Sequence, residues 1–199
     1  MRKFLSNTYL SNAVLRNADL SNTDIRNAKL SGADLGGVNL SNTYMRNVDL
    51  SGANLSNADL RLAYLRSAKL SGADLSGANL GGANLRNADL SGANFRKADL
   101  GDIDLSGADV SDAKFGDAEG VFLAGTDTWG YVFYGTLSAK GVLIVGGEYY
   151  RFVGISAAKS YWTANRGVDE ALYQERLSLV REVERLARAR GWDLEPSPC

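Results

Sequence analysis

The sequence predicts an all-β solenoid over residues 1–118, followed over 119–199 by a small appendage of a β-hairpin and an α-helix. Three observations predict it. Every fifth residue from Leu5 to Phe115 is large and apolar, 23 consecutive positions without a slip. The surface residues carry a second, independent period of twenty: Arg26, Arg46, Arg66 and Arg86 recur at that interval, as do the Ser-Gly pairs 31–32, 51–52, 71–72 and 91–92. Near residue 118 the five-residue register ends and the composition becomes aromatic.

A period of five fits neither the 3.6 of an α-helix nor the 2 of a strand, so neither element could keep all these leucines on one buried side. A coil with one five-residue unit per side does so. Its inward positions are the large residue and the small or β-branched residue two before it, such as Ala13, Ala18, Thr23, Ala28, Ala33 and Val38. The other three positions are mostly Asp, Asn, Ser, Gly, Arg or Lys and face water. Four units per coil then account for the period of twenty.

Segments such as SGADL at 31–35, SNADL at 56–60 and SGANL at 76–80 show, in shifted register, the A(D/N)LXX pattern. Here the chain resembles the pentapeptide-repeat family. The resemblance implies a right-handed quadrilateral β-helix of about six coils with stacked Leu/Phe ladders, roughly 28 Å long at ~4.8 Å per coil.

Stacked coils bring like charges close, and two unit charges 4 Å apart in water repel by about 1 kcal/mol. The column Asp19, Asn39, Asp59, Asn79, Asp99 alternates charge with amide, and Lys29, Asp49, Lys69, Asp89 alternates sign. Arg26, Arg46, Arg66 and Arg86 stand out as four unrelieved positive charges. On the same side Tyr44 and Tyr64 project outward in adjacent coils with Leu62 nearby. These seven residues are the candidate partner-binding face, since buried aromatics and arginines anchor protein interfaces. Arginine stems covering the rings of an ordinary solvated wall are the plainer reading.

The first coil carries Phe4, Tyr9 and Val14 at outward positions that later hold mainly Asp, Asn or Lys. They are fraying end residues or an end-to-end interface, because an uncapped solenoid end is an open edge. The last coil is acidic, with Asp99, Asp102, Asp104, Asp109, Asp112, Asp117 and Glu119. No calcium-loop spacing is present there, so structural pairing with the appendage is expected and no metal is assigned.

In the appendage, Trp129 to Tyr134 alternates as a half-buried strand. Val142–Val145 and Tyr149–Val153 flank Gly146-Gly147 as a hairpin. From about Asp169 to Arg190 the pattern is helical, with Leu172, Leu179, Val183 and Leu186 on one face and Tyr173, Val180 and Ala187 beside it. That stripe closes the solenoid, packs on the hairpins or forms a homodimer interface, the last implied by relatives that dimerise through C-terminal elements.

The chain has 199 residues, a net charge of -1, no histidine and one cysteine, Cys199. The absence of histidine removes the usual general base and the commonest metal ligand. No phosphate-binding loop or nucleophile–base pair is visible, and no cofactor is implied. Neither a signal-peptide core nor a membrane-spanning run occurs, so a cytoplasmic protein that does not enter the membrane is expected. The leading functional expectation is a non-enzymatic protein-binding or scaffold module. The resemblance also suggests a DNA mimic of the Qnr type, acting on DNA gyrase or another type II topoisomerase. Against it, residues 1–90 hold ten Lys or Arg and seven Asp, a net of +3 where a mimic should be acidic. Direct nucleic-acid binding through the arginine column ranks last, because Asp49 and Asp89 would weaken it.

Overall fold

A computed structural model describes residues 3–115, 117–126, 132–137, 143–146, 151–153 and 170–191. Twenty parallel bridges run from Phe4↔Asp24 to Asp99↔Glu119, every one between residues twenty apart. The described residues up to Glu119 therefore form a four-sided coil, and each side is a single bridged residue followed by a turn rather than a continuous strand.

The unit 53–57 shows how five residues close such a side. Ala53 N–H donates to Leu50 O across the turn at 3.0 Å, Asn54 N–H to Ala33 O of the preceding coil at 2.9 Å, Leu55 N–H to Asp74 O of the following coil at 2.7 Å, and Asn57 N–H to Ser76 O at 2.9 Å. The fifth donor, Ser56 N–H, is taken by the Asn54 side-chain oxygen at 3.0 Å. All five N–H groups thus have partners, as a buried-walled backbone requires. Asp does the same work as Asn: Asp19, Asp24, Asp34, Asp49, Asp59, Asp74, Asp89, Asp99, Asp104 and Asp109 each accept the N–H two residues on. The Asp/Asn column is a turn device.

The second position after each large inward residue, from Asn7 to Asp117 in steps of five, has positive φ in all 23 units. Glycine, asparagine and aspartate fill 20 of these, the residue types that tolerate the left-handed region. Leu62, Ser67 and Lys97 are the exceptions.

From Ile25 to Ala108 the inward Leu and Ala side chains are completely buried, while Leu5, Leu10, Leu15 and Leu20 of the first coil are only half-buried. Fully burying one leucine contributes about 2 kcal/mol, so each coil's leucine set is the main driving force for stacking. Between coils, Asn54 donates to Asp34 at 2.9 Å and Asn94 to Asp74 at 3.0 Å, which gives the alternation of charge and amide a hydrogen-bonding use on that wall. Lys29 and Asp49 pair across coils at 3.8 Å.

The appendage is a four-stranded antiparallel meander, β1 (Val121–Thr126), β2 (Val132–Leu137), β3 (Leu143–Gly146) and β4 (Arg151–Val153), with a helix α1 (Glu170–Ala189). Sequence reading missed β1, an apolar run directly abutting the repeat. The strand expected from Trp129 is described from Val132 onward, and Trp129, like Tyr131, Gly147, Tyr149 and Tyr150, lies outside the described residues. The β1–β2 register slips between Leu123 and Gly125. Tyr134 is fully buried, and its hydroxyl accepts Leu105 N–H at 2.9 Å and donates to Asp104 at 3.3 Å. In the preceding coil Leu85 N–H finds Asp104 O instead. One phenol therefore replaces the carbonyl that a further coil would supply.

Helix α1 packs on β1, β2 and β3. Leu177, Val180, Val183 and Ala187 are buried in the chain, and Leu179 and Leu186 are half-buried. Val183 is therefore taken up by packing inside the chain, while Leu179 and Leu186 keep part of their surface in solvent. The Leu172 and Tyr173 side chains lie outside the described residues. On the outer face Arg185 pairs with Glu182 and Arg188 with Glu184. Among the described residues no helix is long and apolar enough to cross a membrane.

The turn carboxylates titrate low: Asp59 chiefly through its bond from Arg61, Asp109 chiefly through Ser111, and Asp19 chiefly through Ser21. A depressed folded-state pKa gives stability that is present above the unfolded value of about 3.9 and lost as pH falls through the folded one. With no histidine to titrate in between, the melting temperature should be flat from about pH 8 to 5 and fall below about pH 4. Thermal melts followed by circular dichroism check this, and a decline already under way between pH 7 and 5 would refute it.

Candidate functional site

One wall of the coil stacks Phe4, Asp24, Tyr44, Tyr64, Asn84 and Asp104. The Tyr44 and Tyr64 rings lie parallel, 4.8 Å between centroids and 9° between planes, which is one coil rise. They occupy the position where Asp or Asn normally caps the turn, so at these two units an aromatic surface has displaced the turn device. Tyr44 is 36% exposed and Tyr64 48%.

Leu62 stands at the corner before Tyr64. It is 55% exposed and has φ 57°. Its Cδ2 would lie 2.8 Å from a Cβ added to Gly82, so the absence of a side chain at 82 gives Leu62 its seat. A shallow groove of about 190 Å³ runs between Leu62, Tyr64, Asn84 and Asp104. A wider open one of about 780 Å³ lies along Lys3, Asp19, Asn22, Asn42, Tyr44 and Tyr64.

The corner after the tyrosines carries the arginine column, and here the expectation of four unrelieved charges is corrected. Arg26 binds Asp24 through both Nε (2.9 Å) and Nη2 (2.6 Å), and Arg86 pairs with Asp104 at 3.6 Å. The aspartates sit at the two ends of the tyrosine wall. Arg46 and Arg66, in the tyrosine coils, are exposed and make no ion pair among the described residues. A signal for the Arg26 pair was available: Asp24 and Arg26 flank an inward residue and so emerge on the same wall, as do Asp59 and Arg61, bonded at 2.6 Å. The Arg86–Asp104 pair needs the coil geometry to be seen.

Phe4, Tyr9 and Val14 project into solvent at 70%, 86% and 74% exposure. Their N–H groups find no backbone acceptor among the described residues. The acidic residues of the last coil serve turns and the cap, with Asp104 joining Ser106, Tyr134 and Arg86. Among the described residues no cluster of potential metal ligands occurs.

A family model described as pentapeptide repeats, in 8 copies, matches residues 5–42, 43–82 and 83–119, more than half of the chain. Among solved structures, the pentapeptide-repeat protein Rfr23 of the cyanobacterium Cyanothece 51142 is 28% identical over 56% of this chain and 87% of its own, with a TM-score of 0.44. The pentapeptide-repeat protein alr5209 of Nostoc PCC 7120 is 41% identical over 46% of this chain and 74% of its own, with a TM-score of 0.36. Full-length QnrB1, a plasmid-mediated fluoroquinolone resistance protein, is 23% identical over 56% of this chain and 66% of its own, with a TM-score of 0.28. No curated protein matches the chain in sequence. With family matches running unbroken from residue 5 to 119 across coils bridged every twenty residues, the chain belongs to the pentapeptide-repeat family.

Proposed function

We propose that this protein is a non-enzymatic, cytoplasmic binding module that presents the Tyr44–Tyr64 wall to a protein partner. The observation that carries the reading is the stacked tyrosine pair standing beside two arginines, Arg46 and Arg66, that have no carboxylate partner among the described residues, unlike their column-mates Arg26 and Arg86. Exposed aromatics with adjacent guanidinium groups are the residue types that dominate interface energetics. The grooves beside them are open and shallow, a shape suited to a macromolecular surface rather than to an enclosed small substrate.

The duplex-mimic reading has weaker support. A mimic needs carboxylates as displayed charge, whereas here they cap turns and alternate with asparagines that make the same bond, as at Asn39, Asn54, Asn79, Asn84 and Asn94. Affinity capture with wild type and with Tyr44→Ala/Tyr64→Ala/Arg46→Ala/Arg66→Ala, read by mass spectrometry, tests the proposal. A partner held by wild type and lost by the folded variant is expected. Identical captures from both baits would make the wall an ordinary surface, and topoisomerase subunits held equally by both would favour the mimic.

A further inference from the structure

We propose that the partner segment received by this wall is acidic and carries an apolar anchor, its carboxylates meeting Arg46 and Arg66 and its apolar side chain lying against Tyr64 and Leu62. The inference rests on the binding-module reading above and adds the chemistry of the occupant.

Charge complementarity gives the sign. Arg26 and Arg86 are already neutralised by Asp24 and Asp104 at the two ends of the wall. Between them Arg46 and Arg66 stand one coil apart without an ion pair among the described residues. Neighbouring guanidinium groups at such spacing repel each other modestly in water, and a carboxylate placed between them removes the repulsion. Bidentate carboxylate recognition is the geometry arginine serves best.

Leu62 gives the apolar component. A branched side chain at positive φ is disfavoured by roughly 1–2 kcal/mol, and the chain supplies Gly, Asn or Asp at nearly every equivalent position. Leu62 nonetheless occupies one, leaves much of its side chain in water, and rests over a residue without a side chain, Gly82. Its fold contribution does not account for that placement, whereas a contact made in the complex does. The wall therefore runs from apolar at the Leu62 corner, through the tyrosines, to cationic at the arginine corner.

Nucleic acid fits less well. The facing sides of the tyrosine rings are already stacked on each other, so no base can enter between them. Two arginines without an ion pair among the described residues also fall short of the several phosphate contacts that give useful affinity.

The experiment is a selection of random 12-residue displayed peptides against the full chain, followed by affinity measurement of the enriched peptides by fluorescence anisotropy. Enriched sequences should carry net negative charge and at least one aromatic or large aliphatic residue. Arg46→Glu/Arg66→Glu should weaken their binding by at least about tenfold. Leu62→Asn should weaken binding while raising the melting temperature by about 2–4 °C as the backbone strain is relieved. A residue with only a structural role would not move the two readouts in opposite directions. Enrichment of neutral or basic peptides that still require Tyr44 and Tyr64 would overturn the acidic partner and leave the binding module standing. Peptides indifferent to the tyrosines would overturn both. A DNA duplex bound by wild type and lost on Arg46→Glu/Arg66→Glu would assign the wall to nucleic acid instead.

Discussion

Phe95→Ala is expected to destabilise the protein by about 4 kcal/mol, the range for removing a fully buried phenylalanine. Phe95 is completely buried and stacks on Phe115 at 5.0 Å with 10° between the planes, the point where the inward column of Leu35, Leu55 and Leu75 changes to phenylalanine. A solenoid couples each coil only to its neighbours. The lost contacts should therefore weaken the joint between the central coils and the last one, and not spread evenly along the rod. All three tryptophans, Trp129, Trp162 and Trp192, lie beyond the repeat, so their fluorescence reports the appendage while far-UV circular dichroism reports the whole chain. In urea, the variant's fluorescence transition should precede its circular dichroism transition. Coincident curves at the wild-type midpoint would contradict the prediction. Phe95→Leu, which restores the side chain used elsewhere in the column, should recover most of the loss.

The second large effect belongs to the junction. Gly120 has φ 74°, and a Cβ there would sit 2.5 Å from Gly101 N and 2.7 Å from Gly101 Cα. Both are backbone atoms held by the ladder, including the bond from Leu100 N–H to Glu119 O at 2.9 Å, so neither can step aside. Gly120→Ala combines a left-handed penalty with this overlap, and a loss of about 3 kcal/mol follows. Gly120→Asn separates the two causes. Asparagine tolerates the dihedral and meets the same backbone, so it should remain nearly as destabilised as the alanine variant in urea denaturation. Recovery to wild-type stability would show that the dihedral alone matters.

The two inward positions were legible in the sequence because burial selects for size every five residues with no exceptions. The outward positions were legible only as polar. Their division of labour is set by hydrogen bonds that composition does not display: an Asp or Asn before the large inward residue caps the turn, and the second residue after that inward residue sits at positive φ. That is why Leu62 passed as a neighbour of the tyrosines, although its real peculiarity is backbone geometry. The tyrosine–arginine wall was found from the period of twenty, but which two arginines are paired depends on Asp24 being adjacent within its unit and Asp104 being one coil away. The appendage was less legible. Its strands are short, its first one follows the repeat without a break, and the part Tyr134 plays rests on a phenol reaching across thirty positions to Asp104.

Tyr134 also bears on how such a rod acquires a length. Identical steps contain no instruction to stop, and a phenol that imitates the next carbonyl can terminate the stack after any whole number of turns, provided the final one presents the same wall. Removing or duplicating twenty residues upstream of the last turn leaves that ending untouched and keeps every column in phase. The molecule's size is thus adjustable in whole increments, with the termination chemistry inherited unchanged, and a display surface can be moved nearer to or farther from the sealed end without redesigning either.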